Sequence, residues 1–154
     1  MRLIDEIKQA GERAGLHVIY GDLEHMVEKL NRKARVNQKT QPALFFPIEF
    51  PMTHDRGVVT SKINVLITVS SSKSYEPEER MQKSYSDKLP ELRQKFLNEL
   101  KKTSGSISVK TKTEWPRPKV HQAFGNAVKN TTIFNEALDG YELIIEYKTD
   151  MKEC

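Results

Sequence analysis

Lys62-Ile63-Asn64-Val65-Leu66-Ile67-Thr68-Val69-Ser70 alternates apolar and polar side chains, and its reading decides the fold. Ile63, Val65, Ile67 and Val69 share one face. Lys62, Asn64, Thr68 and Ser70 share the other, with Leu66 the one apolar exception. A period of two is that of a half-buried antiparallel strand. Ser70-Ser71-Ser72 ends it, and Glu76-Pro77-Glu78-Glu79 then opens a helix, with proline in the first turn and acids at the positive end. Met81, Tyr85, Leu89, Leu92, Phe96 and Leu100 keep one stripe across Pro90, which predicts either a kinked helix or two abutting helices on the sheet.

On the N-terminal side, Leu3, Ile4, Ile7, Ala10 and Ala14 form a helical stripe, and Gly15 sits where a left-handed cap would end it. Leu16 to Tyr20 reads as a short strand closed by Gly21. Asp22 is a good N-cap for a second helix carrying Leu23, Met26, Val27 and Leu30 on one face. Pro42 to Pro51 is apolar and extended, and Pro47, which cannot donate to a ladder, predicts an edge strand or a bulge. The turn Thr53-His54-Asp55-Arg56-Gly57 joins that segment to the long strand as a hairpin.

On the C-terminal side, Ser104-Gly105 stops the long helix and Ile107, Val109 and Thr111 begin a strand that runs out at Trp115-Pro116-Arg117-Pro118-Lys119. Val120 to Asn130 fits a strand, a short helix or a loop. Asp139-Gly140 is a turn dipeptide, after which Tyr141, Leu143, Ile145 and Tyr147 alternate with Glu142, Glu146 and Lys148 as an exposed face. The expectation is an α+β domain spanning 1–154, with a mostly antiparallel sheet covered by an N-terminal helix and a long kinked helix. Its parts are a helix-strand-helix lead-in (1–34), a hairpin (42–72), the long helix (76–102) and C-terminal strands (106–148).

With 154 residues the chain can bury roughly two thirds of its unfolded surface as one domain. No apolar run nears the length of about 20 residues that spans a bilayer, and Met1 to Glu6 is too acidic for a secretory leader. The single cysteine, Cys154, points to a reducing compartment or to an intermolecular bridge. The net charge of +4 is unevenly spread. Lys29, Arg32, Lys33, Arg35 and Lys39 form a basic run, whereas acids dominate from Glu136 onward. Such asymmetry suits head-to-tail self-association or phosphate-backbone contact with nucleic acid, and equally a solvated surface with no partner.

Residue clusters for chemistry are missing. The glycines are scattered at turns, so no phosphate-cradling loop is expected. His17, His25, His54 and His121 fall on four different elements, and neither a metal nor a cofactor is expected. Glu146-Tyr147-Lys148 with Asp139 is similar to the carboxylate and Glu-x-Lys pattern of a nuclease superfamily. Seven residues of extended chain nevertheless separate the acids by roughly 23 Å, too far to share one ion. No enzymatic activity is expected.

The order of elements resembles the tail terminator (tail-completion, minor tail) proteins of tailed bacteriophages and prophages. The likeness rests on Tyr20-Gly21, on Pro42-Ala43-Leu44-Phe45-Phe46, on Ile63 to Val69, on the Tyr75 to Leu100 helix and on Leu138-Asp139-Gly140-Tyr141-Glu142-Leu143. It implies a non-enzymatic structural protein that forms a homo-oligomeric ring, a hexamer. The ring would cap the tail tube and meet the head-tail connector, in the host cytoplasm during assembly and then in the virion tail, with no membrane. The Trp115 to Lys119 proline segment and Pro90 depart from that layout. Candidate contact residues are Thr53, His54, Asp55 and Arg56 at the hairpin, Arg32, Lys33 and Arg35 in the basic run, and Glu142 and Glu146 on the last strand. The alternatives are a small basic nucleic-acid-binding module and a metal-dependent nuclease.

Overall fold

The computed structural model describes residues 2–35, 40–72, 74–103, 105–127, 133–134 and 137–150. The chain is α+β. In order, it forms α1 (Arg2–Arg13), β1 (His17–Tyr20), α2 (Leu23–Arg35), β2 (Ala43–Phe46), β3 (Met52–Asp55), β4 (Val58–Ser70), α3 (Pro77–Arg80) and a π-helical turn (Met81–Tyr85). There follow α4 (Lys88–Lys101), β5 (Ser106–Arg117), a 3-10 turn (Pro118–Val120), β6 (Gln122–Ala123), β7 (Asn126–Ala127) and β8 (Leu138–Asp150). The main sheet runs β1-β2-β4-β8-β5, and β3 pairs with β4 beyond β2. Among the described strands only β1 and β2 are parallel, joined through α2 as a crossover connection requires.

Both caps read from the sequence form. Gly15, at φ 83°, lets the Leu16 N–H reach the Gly11 carbonyl at 2.9 Å and its own N–H reach Glu12 at 3.0 Å, a Schellman end to α1. Asp22 Oδ1 accepts the His25 N–H at 2.8 Å at the start of α2.

The alternation of β4 sorts two cores. Ile63, Val65, Ile67 and Val69 pack with Leu3, Ile7 and Ala10 of α1 and with Leu89, Phe96 and Leu100 of α4. Across the sheet, Leu66 joins Met26 and Leu30 of α2, Phe45, Val120, Ala123, Phe134 and Leu138 in a second cluster. The apparent exception in the alternation is thus a second-core residue, and Thr68 beside it is also buried. β4 is half-buried near the hairpin and covered on both faces at its other end.

Several expectations change. β2 is not an edge strand. It lies between β1 and β4, all four residues are buried, and it ends at Phe46 before Pro47 breaks the ladder. Thr53, His54 and Asp55 are strand residues, and the turn is Arg56-Gly57 alone. Their φ values of 50° and 80° give the I′ geometry that matches strand twist. Of the two readings of the long helix, abutting helices hold: it breaks at Ser86-Asp87, and Pro90 sits in the first turn of α4. The wider π turn, closed by Ser86 N–H to Met81 carbonyl at 2.8 Å, carries Met81 off the buried stripe and leaves it 56% exposed.

Further along, Trp115, Pro116 and Arg117 belong to β5, paired with Glu142, Tyr141 and Gly140. As the outer strand, β5 tolerates the missing Pro116 N–H. Asp139-Gly140 is no turn. It lies inside β8, where a Cβ on residue 140 would meet the Ile67 carbonyl oxygen at 2.9 Å. Glycine is required there by the close approach of β4. The 120–127 stretch becomes the end of the 3-10 turn and the β6-β7 hairpin, and 128–130 lie outside the described residues.

Candidate assembly surface

At the hairpin end the sheet has four strands, β3-β4-β8-β5, with His54, Val59, Thr149 and Ser106 in one row. β3 and β5 run antiparallel to each other, and among the described residues neither has a strand on its outer side. Thr53, His54, Asp55 and Arg56 are all exposed, as the sequence led one to expect of a hairpin tip. Met52 at the start of β3 is 40% exposed and Ile107 at the start of β5 is 57% exposed. Register shifts between Ser106 and Ser108 and between Thr111 and Thr113 interrupt the β5 edge, and Lys110 and Lys112 add charge. Such devices discourage indiscriminate strand addition. They leave Ser108 to Thr111 as a regular stretch of the same length as β3.

The acids of β8 are not an exposed face. Glu142 is buried, and its carboxylate accepts from Arg117 Nε at 2.9 Å, Asn64 Nδ2 at 3.0 Å and the Phe124 N–H at 3.1 Å. It is a structural anchor for β5, β4 and the β6-β7 hairpin, and is removed from the contact candidates. Glu146 is largely covered and pairs with Lys112 of β5 at 3.7 Å. Asp139 is wholly buried on the opposite face from Glu146, among α3 and the π turn, so the two acids do not converge. Among the described residues no three acid, histidine or cysteine side chains are placed to hold a metal ion. Nor is any described helix long and apolar enough to cross a membrane.

In α2, Arg32 pairs with Glu28 at 3.0 Å and Lys29 lies 5.4 Å from the Tyr20 ring centre. Lys33 contacts the His17 ring. Desolvation, with Lys33 and Lys29 adding repulsion, lowers the His17 pKa, and desolvation likewise lowers that of Lys33. The Arg35 side chain and all of Lys39 lie outside the described residues.

Sequence reading missed the strongest polar centre. Asp139 pairs with Arg80 and accepts from Ser84 Oγ at 2.7 Å, Ser71 Oγ at 2.8 Å and the Lys119 N–H at 3.0 Å. Arg80 also donates to Ser71 Oγ and to the Ser72 carbonyl. This network ties the serine corner, α3, β8 and the 3-10 turn together, and it holds Lys119 and Val120 at φ of 59° and 40°. β-branched residues rarely adopt such values. The only signal in the sequence is a lone Arg beside an acidic helix start.

Above this network lies an apolar groove of about 680 Å³ walled by Tyr75, Tyr141, Pro116 and Pro118, with Met81 and Lys119 on its rim. Tyr85 forms its floor, edge-on to Tyr141 with ring centres 5.5 Å apart. Burial raises the pKa of both tyrosines, so they stay neutral.

No family model and no curated protein matches the chain.

Proposed function

We propose that this chain is a structural assembly subunit of the tail terminator type, which joins copies of itself into a ring that caps a tail tube. The observation carrying this reading is that, among the described residues, β3 and β5 are both sheet edges without an outer strand at the hairpin end. β3 and β5 run in opposite directions, so β3 of a second copy laid on β5 continues the antiparallel sheet without reversing any strand. Because the two edges differ, the contact is heterologous, and repeating it closes a ring when the rotation per copy divides a full turn. The resemblance in element order supports the tail assignment and its partners, the tail-tube and head-tail connector proteins.

Sedimentation velocity and light scattering over a concentration series, with electron microscopy of the purified protein, test this. Ring-shaped oligomers are expected, alone or after addition of tail-tube protein. A chain that stays monomeric at high concentration and forms no ring with tube protein refutes the reading.

A further inference from the structure

Among the described residues, the large exposed hydrophobic side chains are Ile48, Met52, Met81 and Ile107. Two of them belong to one segment. Pro47-Ile48-Glu49-Phe50-Pro51-Met52 connects β2 to β3, with a proline near each end and Ile48 and Met52 at 51% and 40% exposure. The segment bends at Ile48, Phe50 packs on the first core and the Pro51 carbonyl accepts the Lys62 N–H, so with its prolines it loses little entropy when bound. The third, Met81, stands on the rim of the tyrosine- and proline-walled groove at the far end of β5. Connector and groove therefore lie on opposite lateral edges of one sheet.

We infer that the groove receives the Pro47–Met52 connector of a second copy of this chain. Aromatic and proline walls are a surface on which apolar, proline-bounded segments dock. Charge matches as well. Glu49 is exposed with no cation partner among the described residues, and Lys119 on the groove rim has no carboxylate against its side chain among them. Chain direction is the third argument. β5 runs from Ser106 toward the groove at Pro116 and Pro118. A β3 laid antiparallel on it would enter from the groove end, so the connector preceding Met52 would arrive at the end of β5 that carries the groove.

This inference rests on the ring reading and names its second contact. The test uses substitutions at exposed positions, with circular dichroism and thermal melting confirming that each variant folds. Ile48→Asp removes the inserted segment's apolar side chain, and Met81→Asp spoils the receiving groove. Each variant alone is expected to sediment as a monomer where the unchanged protein assembles. An equimolar mixture should give a dimer and nothing larger, since only one intact connector can meet one intact groove. Glu49→Lys and Lys119→Glu should each weaken association about tenfold, and the double variant should restore it.

Should both aspartate variants assemble like the unchanged protein, the groove contact is refuted while the ring stands. A mixture that stays monomeric also refutes it. If the unchanged protein is itself monomeric under all conditions, the ring reading falls and the groove contact with it.

Discussion

Replacing Arg80 by methionine removes the cation from a carboxylate that has no access to water. The Arg80 side chain is 8% exposed and that of Asp139 is fully buried. Removing one partner of a buried pair costs about 3–5 kcal/mol, because the remaining charge keeps its desolvation penalty. Here Asp139 retains the Ser84 and Ser71 hydroxyls and the Lys119 N–H, each within 3.0 Å. Those donors compensate part of the loss and place the expected cost at the lower end, about 3 kcal/mol. For a chain of this size that corresponds to roughly 6–12 °C in Tm. Asp139→Asn removes the charge at nearly constant volume. In the double variant Arg80→Met with Asp139→Asn, no buried charge remains, so the pair should cost less than the two single changes added together. Urea unfolding followed by far-UV circular dichroism and by fluorescence of Trp115, the chain's single tryptophan, measures all four corners of the cycle. An Arg80→Met cost below about 1 kcal/mol, or single effects that add to within ~0.5 kcal/mol, refutes the assignment of this pair as the clamp between the corner and β8.

Glu142→Ala strands Arg117 and the Phe124 N–H and should lower stability by about 2–4 kcal/mol with no direct effect on association, read by urea unfolding and sedimentation. A stable variant with weakened assembly would return Glu142 to the contact surface. Gly140→Ala drives a Cβ to 2.9 Å from the Ile67 carbonyl oxygen and should cost about 1–3 kcal/mol, whereas a neutral effect would mean that β4 and β8 can separate locally. For His17, desolvation and the neighbouring lysines depress the folded pKa below the ordinary histidine value of 6.5, so the unfolded chain binds the proton more readily. This contribution is full above pH 6.5 and is lost as pH falls through the lowered folded value. Thermal melts from pH 7.5 to 5 should show a fall that His17→Gln lacks, and parallel curves for the two proteins would refute it.

Local chemistry was legible where an element's own residues decide its form. The glycine cap of α1, the aspartate cap of α2 and the alternation of β4 act over a few residues, and all were readable. What Pro47, Pro90 and Pro116 do depends on the elements around them. Pro47 lies just past a central strand, Pro90 falls in the first turn of a new helix, and Pro116 sits in the outer strand of the sheet. In each case the missing N–H costs little because of where the neighbouring element ends or lies. The exposed hairpin that carries Thr53 to Arg56 was legible because turn chemistry and exposure coincide there. Glu142 was misread because alternation cannot tell a solvated second face from one covered by a distant segment.

By itself the sequence determined the α+β class, the caps and the alternating strands Ile63–Val69 and Leu143–Tyr147, since those follow from side-chain spacing along one backbone. Tertiary structure alone decided the rest. It set Asp139 against Arg80 across 59 residues, buried Glu142 beneath Arg117 and the β6-β7 hairpin, and left β3 and β5, among the described residues, as sheet edges of opposite direction. The physical reason is that burial, charge pairing and free edges depend on which distant segments meet. No local pattern records that.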